Sequence, residues 1–125
     1  MRLIFIVLTL GISLQTYAQQ SESDFVKLIH AELGGQREVS VTSGYVDLLT
    51  DDLAIEVDFA SKWKEAIGQS LWYGLQTNRQ PAIVLIKRRK TDQKYVIQLG
   101  SALEYAGLAN RVRVLVWPDD FKTGR

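Results

Sequence analysis

The chain has 125 residues, of which 46% are hydrophobic and 23% charged, and a formal net charge of +1. That length and balance describe one globular domain and exclude disordered or collagen-like chains. It has no cysteine and a single histidine, His30. This excludes disulfide frameworks, iron–sulfur clusters, thiolate zinc and cysteine nucleophiles, and argues against a His-built metal site or a Ser–His–Asp triad.

In chain order, Met1-Arg2, the apolar run Leu3 to Leu14 and the small residues Thr16 and Ala18 form the three-part pattern of a secretory signal. The run is too short to span a membrane. A single mature domain over residues 19–125 is expected, secreted or periplasmic, with no membrane attachment after cleavage. Gln19 to Asp24 is polar and expected to fray. Phe25, Leu28, Ile29 and Leu33 recur at helical spacing, and Gly34-Gly35 ends that helix. Glu38 to Thr42, Tyr45 to Thr50 and Leu53 to Phe59 read as strands, separated by Ser43-Gly44 and Asp51-Asp52. The two tight turns predict a meander of three antiparallel strands. Ser61 is a suitable N-cap for a helix running to about Thr77. Pro81 to Lys87 is almost continuously apolar, as in a strand covered on both faces. A helix is expected over 92–107, with Tyr95-Val96-Ile97 able to pair as a strand instead, and a last strand over Asn110 to Trp117. The expected class is α/β, arranged around one mixed sheet.

The chemistry concentrates in the third strand. Alternation places Glu56 and Asp58 on one face, flanked by Ala54 and Ala60, and Asp47 stands in the neighbouring strand. Burying unpaired carboxylates costs several kcal/mol, so three of them within one hairpin call for a cation unless they lie in solvent. Hard oxygen donors without His or Cys point to Mg²⁺, Mn²⁺ or Ca²⁺. At 100° per residue, Lys62, Gln69 and Tyr73 fall within about 40° of one another and form a polar stripe. Trp63, Ile67, Leu71 and Gly74 form the apolar side expected to pack on the sheet. From the first turn of that helix, Lys62 can reach back toward Glu56 and Asp58.

Asp47, then Glu56-Val57-Asp58 after a short hairpin turn, resembles the PD-(D/E)XK nuclease superfamily, and Gln69-Ser70-Leu71-Trp72-Tyr73 is similar to the QxxxY motif of its exonuclease-like branches. The resemblance covers roughly Asp24 to Lys87. It implies a restriction-endonuclease-like α-β-β-β-α-β core, here extended by a C-terminal helix and strand. By that resemblance Asp47, Glu56 and the main-chain carbonyl of Val57 would bind Mg²⁺ or Mn²⁺, and Asp58 beside them would strengthen metal binding. Glu32 would correspond to an acid that some members carry on the first helix. Gln69 and Tyr73 would orient the site or contact a DNA phosphate. The family's catalytic lysine belongs at position 58, where this chain has Asp58, and Lys62 would supply the missing ammonium.

The function so implied is metal-dependent hydrolysis of DNA phosphodiesters with little sequence specificity, RNA being a further possible substrate. The dense basic run Lys87-Arg88-Arg89-Lys90 is the expected nucleic-acid contact, and Trp72 is a candidate for base stacking. The alternative is a catalytically inactive binding or interaction module of the same fold. A third reading has the acids holding Ca²⁺ for stability alone.

Overall fold

The computed structural model describes residues 20–122. The expected signal peptide at residues 1–18 lies outside them. Three helices and five strands follow one another as α1 (Glu22–Leu33), β1 (Gln36–Val41), β2 (Gly44–Leu49), β3 (Leu53–Phe59), α2 (Trp63–Thr77), β4 (Gln80–Ile86), α3 (Gln93–Tyr105) and β5 (Arg113–Trp117). Short 3-10 turns, Ala60–Lys62 and Lys90–Asp92, precede α2 and α3. The strands form one mixed sheet in the order β1-β2-β3-β4-β5. The first three are antiparallel, and β4 and β5 join parallel through the α2 and α3 crossovers. This is an α-β-β-β-α-β core with an added helix and strand, as the element pattern predicts.

The start of α1 differs from expectation. Residues 21–24 do not fray: Ser21 caps the helix by accepting from the Asp24 amide, and the Asp24 carboxylate accepts from the Ser21 amide. This reciprocal capping box satisfies two otherwise orphaned donors. Val26 joins Phe25 and Ile29 on the buried face, whereas Leu28 is largely exposed. At the other end the Gly34 amide bonds the His30 carbonyl, and the His30 ring bonds the Gly35 carbonyl.

Alternation along β3 divides the core in two. Ile55 and Val57, with Ala82, Val84 and Ile86 of β4, pack under α1, Trp117 and Phe121. Ile83 and Leu85, with Ala60, pack under α2 and α3 through Ala66, Leu99 and Leu103. Covered on both faces, β4 needs the uninterrupted apolar run its sequence carries. Residues 95–97 are helical within α3.

The helix expected from Ser61 begins two residues later. Ser61 and Lys62 belong to the 3-10 turn, and Lys62 stands at the N-cap position of α2 without a side-chain cap bond. The buried residues of α2 are Ala66, Ser70, Tyr73 and Gly74, while Trp63, Ile67 and Leu71 pack toward α3. Tyr73, at the far end of the expected polar stripe, is buried. Gly74 is required by close approach: a Cβ there would lie 3.0 Å from the Arg79 carbonyl oxygen and from the Pro81 ring.

Candidate functional site

The two antiparallel ladders around β2 break at one place. β2 pairs with β3 only at Leu48–Ile55 and Leu49–Ala54. In the β1–β2 ladder, Arg37–Leu48 and Val39–Val46 are paired, leaving Glu38 (φ 53°) opposite Asp47. Beyond Ile55 the β2-facing edge of β3 lacks a backbone partner from β2. There the Asp47 carboxylate takes over, accepting from the Val57 amide at 2.8 Å. In a strand, the N–H and C=O of one residue point to the same edge, so the Val57 carbonyl faces the opening that Asp47 borders.

Glu56 and Asp58 are both buried, at 5% and 4% exposure. Burial first, then the charges of Asp47 and Asp58, push the Glu56 carboxyl up to about 9. Glu56 faces Asp47 at hydrogen-bonding range, and the Asp47 carboxyl is itself raised, chiefly by burial. Asp58 is pushed up to about 7, by burial first and by Glu22 next, while Lys62 pulls it down; it shares a hydrogen bond with Glu22. Lys62 Nζ lies 3.8 Å from the Glu22 carboxylate. Two neighbouring carboxyl pairs, Asp47–Glu56 and Asp58–Glu22, thus stand at the mouth of the splayed strands.

Lys62 and Gln69 line one groove with Glu22, Glu56, Asp58 and Glu65. Tyr73 lies behind it. Its hydroxyl bonds the Tyr45 amide and the Gln69 side chain, and burial followed by the Glu56 charge raises its pKa. A Cβ on Gly44 would come within 2.7 Å of that hydroxyl. Trp72 also ties α2 to this hairpin, its indole donating to the Thr42 carbonyl at 2.7 Å. Both aromatics hold the β1–β2 hairpin against α2.

Asp47, Glu56, Val57, Asp58, Lys62, Gln69 and Tyr73 are therefore brought together. Glu32 is not. It sits near the C-terminal end of α1, where its carboxylate accepts from the Lys122 amide. The acid that α1 delivers is Glu22, ten residues earlier, carried by the helix start that the capping box fixes. The Ser21-x-x-Asp24 spacing is the sequence signal that locates it.

The basic run lies at the end of β4, and much of it is engaged within the fold. Lys87 Nζ is 2.6 Å from Asp119 and 3.0 Å from the Gln93 amide oxygen. The Arg88 guanidinium stacks 4.0 Å over the Phe59 ring, and Arg89 lies 4.0 Å from Asp92.

Hard carboxylate oxygens plus a main-chain carbonyl suit Mg²⁺ or Mn²⁺. The acids stand in pairs, and among the described residues no three acidic or histidine side chains surround a common point. A cation would offset the repulsion among buried like charges. The donor chemistry thus fits a divalent ion at Asp47, Glu56 and the Val57 carbonyl.

No family model and no solved structure matches the chain. It is similar to KilA-N domain-containing proteins of Acanthamoeba polyphaga mimivirus. One is 39% identical over 74 residues, 58% of this chain and 20% of that protein. Another is 37% identical over 60 residues, 48% of this chain and 24% of that protein. The chain spans about a quarter or less of these relatives' lengths.

Proposed function

We propose that this chain is a DNA-directed domain of PD-(D/E)XK type that hydrolyses phosphodiester bonds with the help of Mg²⁺ or Mn²⁺. The observation that carries this reading is the convergence of Asp47, Glu56, Asp58 and Glu22 with Lys62 where β2 and β3 part. The ion would be held by Asp47, Glu56 and the Val57 carbonyl. When bound, it would polarise a phosphoryl oxygen and lower the pKa of water. The chain's own groups do the rest. The Val57 amide fixes the Asp47 carboxylate, and the Tyr73 hydroxyl and Gln69 hold the wall of the groove. Lys62 offers its ammonium to the charge that builds on phosphate during attack. The proposal retains export through residues 1–18 as the route to a secreted or periplasmic location.

A second reading, a binding module of the same fold without hydrolysis, is favoured by two observations. Asp58 occupies the position of the family's lysine. The viral relatives are named for a KilA-N domain and not for a nuclease activity, and the match covers a quarter or less of each.

Incubation of the purified protein with linear, nicked and single-stranded DNA, and with RNA, in Mg²⁺ or Mn²⁺ separates the two. The hydrolytic reading expects cleavage that Asp47→Ala and Glu56→Ala each reduce at least a hundredfold. Lys62→Ala is expected to lower the rate without removing metal binding. DNA retained but uncut in either metal establishes the second reading and overturns the first.

A further inference from the structure

The acids lie where two grooves meet. The larger, about 300 Å³, is the one that Lys62 and Gln69 border; the smaller, about 160 Å³, is lined by Glu22, Ser23, Val26, Arg37, Glu38 and Asp47. Glu22 lines both, so they form the two arms of one track across the β2–β3 opening. Each arm has one cation among its lining residues: Lys62 on the α2 side, Arg37 on the β1 side.

Arg37 is exposed and sits opposite Leu48, one residue along β2 from Asp47. Arg37 and Asp47 both line the smaller groove, on whose other side stand Glu22 and Val26 of α1. Among the described residues it has no ion-pair or hydrogen-bond partner within the protein. A guanidinium presents paired donors that match phosphate oxygens. By contrast, Lys87, Arg88 and Arg89 are held by Asp119, Phe59 and Asp92.

We infer that Arg37 grips the phosphate adjoining the reacting one, so that a nucleic-acid strand passes from Lys62 across the acids to Arg37 rather than along the 87–90 run. This inference rests on the DNA-directed reading of the site. It assigns the strand's path and names a binding residue outside the motifs that suggested the site.

The test is fluorescence anisotropy of a labelled oligonucleotide with the full protein in Ca²⁺, over a series of salt concentrations. Arg37→Ala is expected to weaken binding about tenfold and to reduce the salt slope by about one ion. Arg37→Lys should recover the slope and part of the affinity, because it keeps the charge but not the fork. Lys87→Ala and Arg89→Ala should leave the slope unchanged. An Arg37→Ala protein with wild-type affinity and slope overturns the inference and leaves the DNA-directed reading intact. A wild-type protein that binds no oligonucleotide in Ca²⁺, Mg²⁺ or Mn²⁺ overturns that reading, and the inference with it.

Discussion

Glu56 shows how a single side chain reports on the site. Its carboxyl is held up to about 9 from an ordinary 4.5, by burial first and by its acidic neighbours next. Between those values the folded protein keeps a proton that the unfolded chain releases. Its contribution is therefore complete below about pH 4.5 and lost as pH rises through 9. Asp58, raised from 3.8 to about 7, adds the same trend over a lower window. Without added metal, the urea midpoint of the wild type is expected to fall between pH 5 and pH 9. Glu56→Gln, which keeps the shape and removes the ionisation, should fall less. Equal pH slopes for the two proteins would contradict the assignment of a buried proton to Glu56. A divalent ion competes with those protons, so Mg²⁺ should stabilise the wild type more at pH 8 than at pH 5.

At the scale of elements, the site depends on where α1 starts and where the β2–β3 ladder stops. Ser21→Ala removes half of the capping box and is expected to cost about 0.5–2 kcal/mol, measured by urea unfolding. Because the same turn carries Glu22, the variant should also weaken Mn²⁺ binding; unchanged stability and unchanged Mn²⁺ affinity would contradict the role given to the cap. Much of this architecture is legible in the sequence. β3 is readable to the residue because the Asp51-Asp52 turn precedes it and the helix signal at Ser61 follows it, and alternation along it correctly puts Glu56 and Asp58 on one face. Three features are not legible, each for a physical reason. The 3-10 turn at 60–62 takes up Ser61, so the N-cap of α2 falls at Lys62 rather than at the Ser61 that residue preference points to. The resemblance points to Glu32 as the acid of α1, whereas Glu22 is hidden in a polar segment that reads as fraying until its reciprocal cap is recognised. The basic run looks like a free patch because Asp119 and Phe59 reach it from distant parts of the chain, and Asp92 and Gln93 reach it only when the turn into α3 folds back.

For the molecule as a whole, a net charge of +1 hides a sharply uneven distribution. Six of the acids, Glu22, Glu38, Asp47, Glu56, Asp58 and Glu65, line the two arms of one track, against Lys62 and Arg37. A polyanion approaching that track meets repulsion unless cations fill it, which ties any DNA-directed role to a bound divalent ion. The mixed sheet supplies the frame: β3 and β4 are clamped between two cores, and β2 departs from β3 just where the acids stand. The claim on which the function rests is that these carboxylates exchange protons for a metal ion. Anomalous difference density from crystals grown with Mn²⁺ tests it most directly. The account predicts a peak between the Asp47 and Glu56 carboxylates at the Val57 carbonyl, absent in Glu56→Gln. A fully formed sheet at saturating Mn²⁺, with no peak between Asp47 and Glu56, would contradict it.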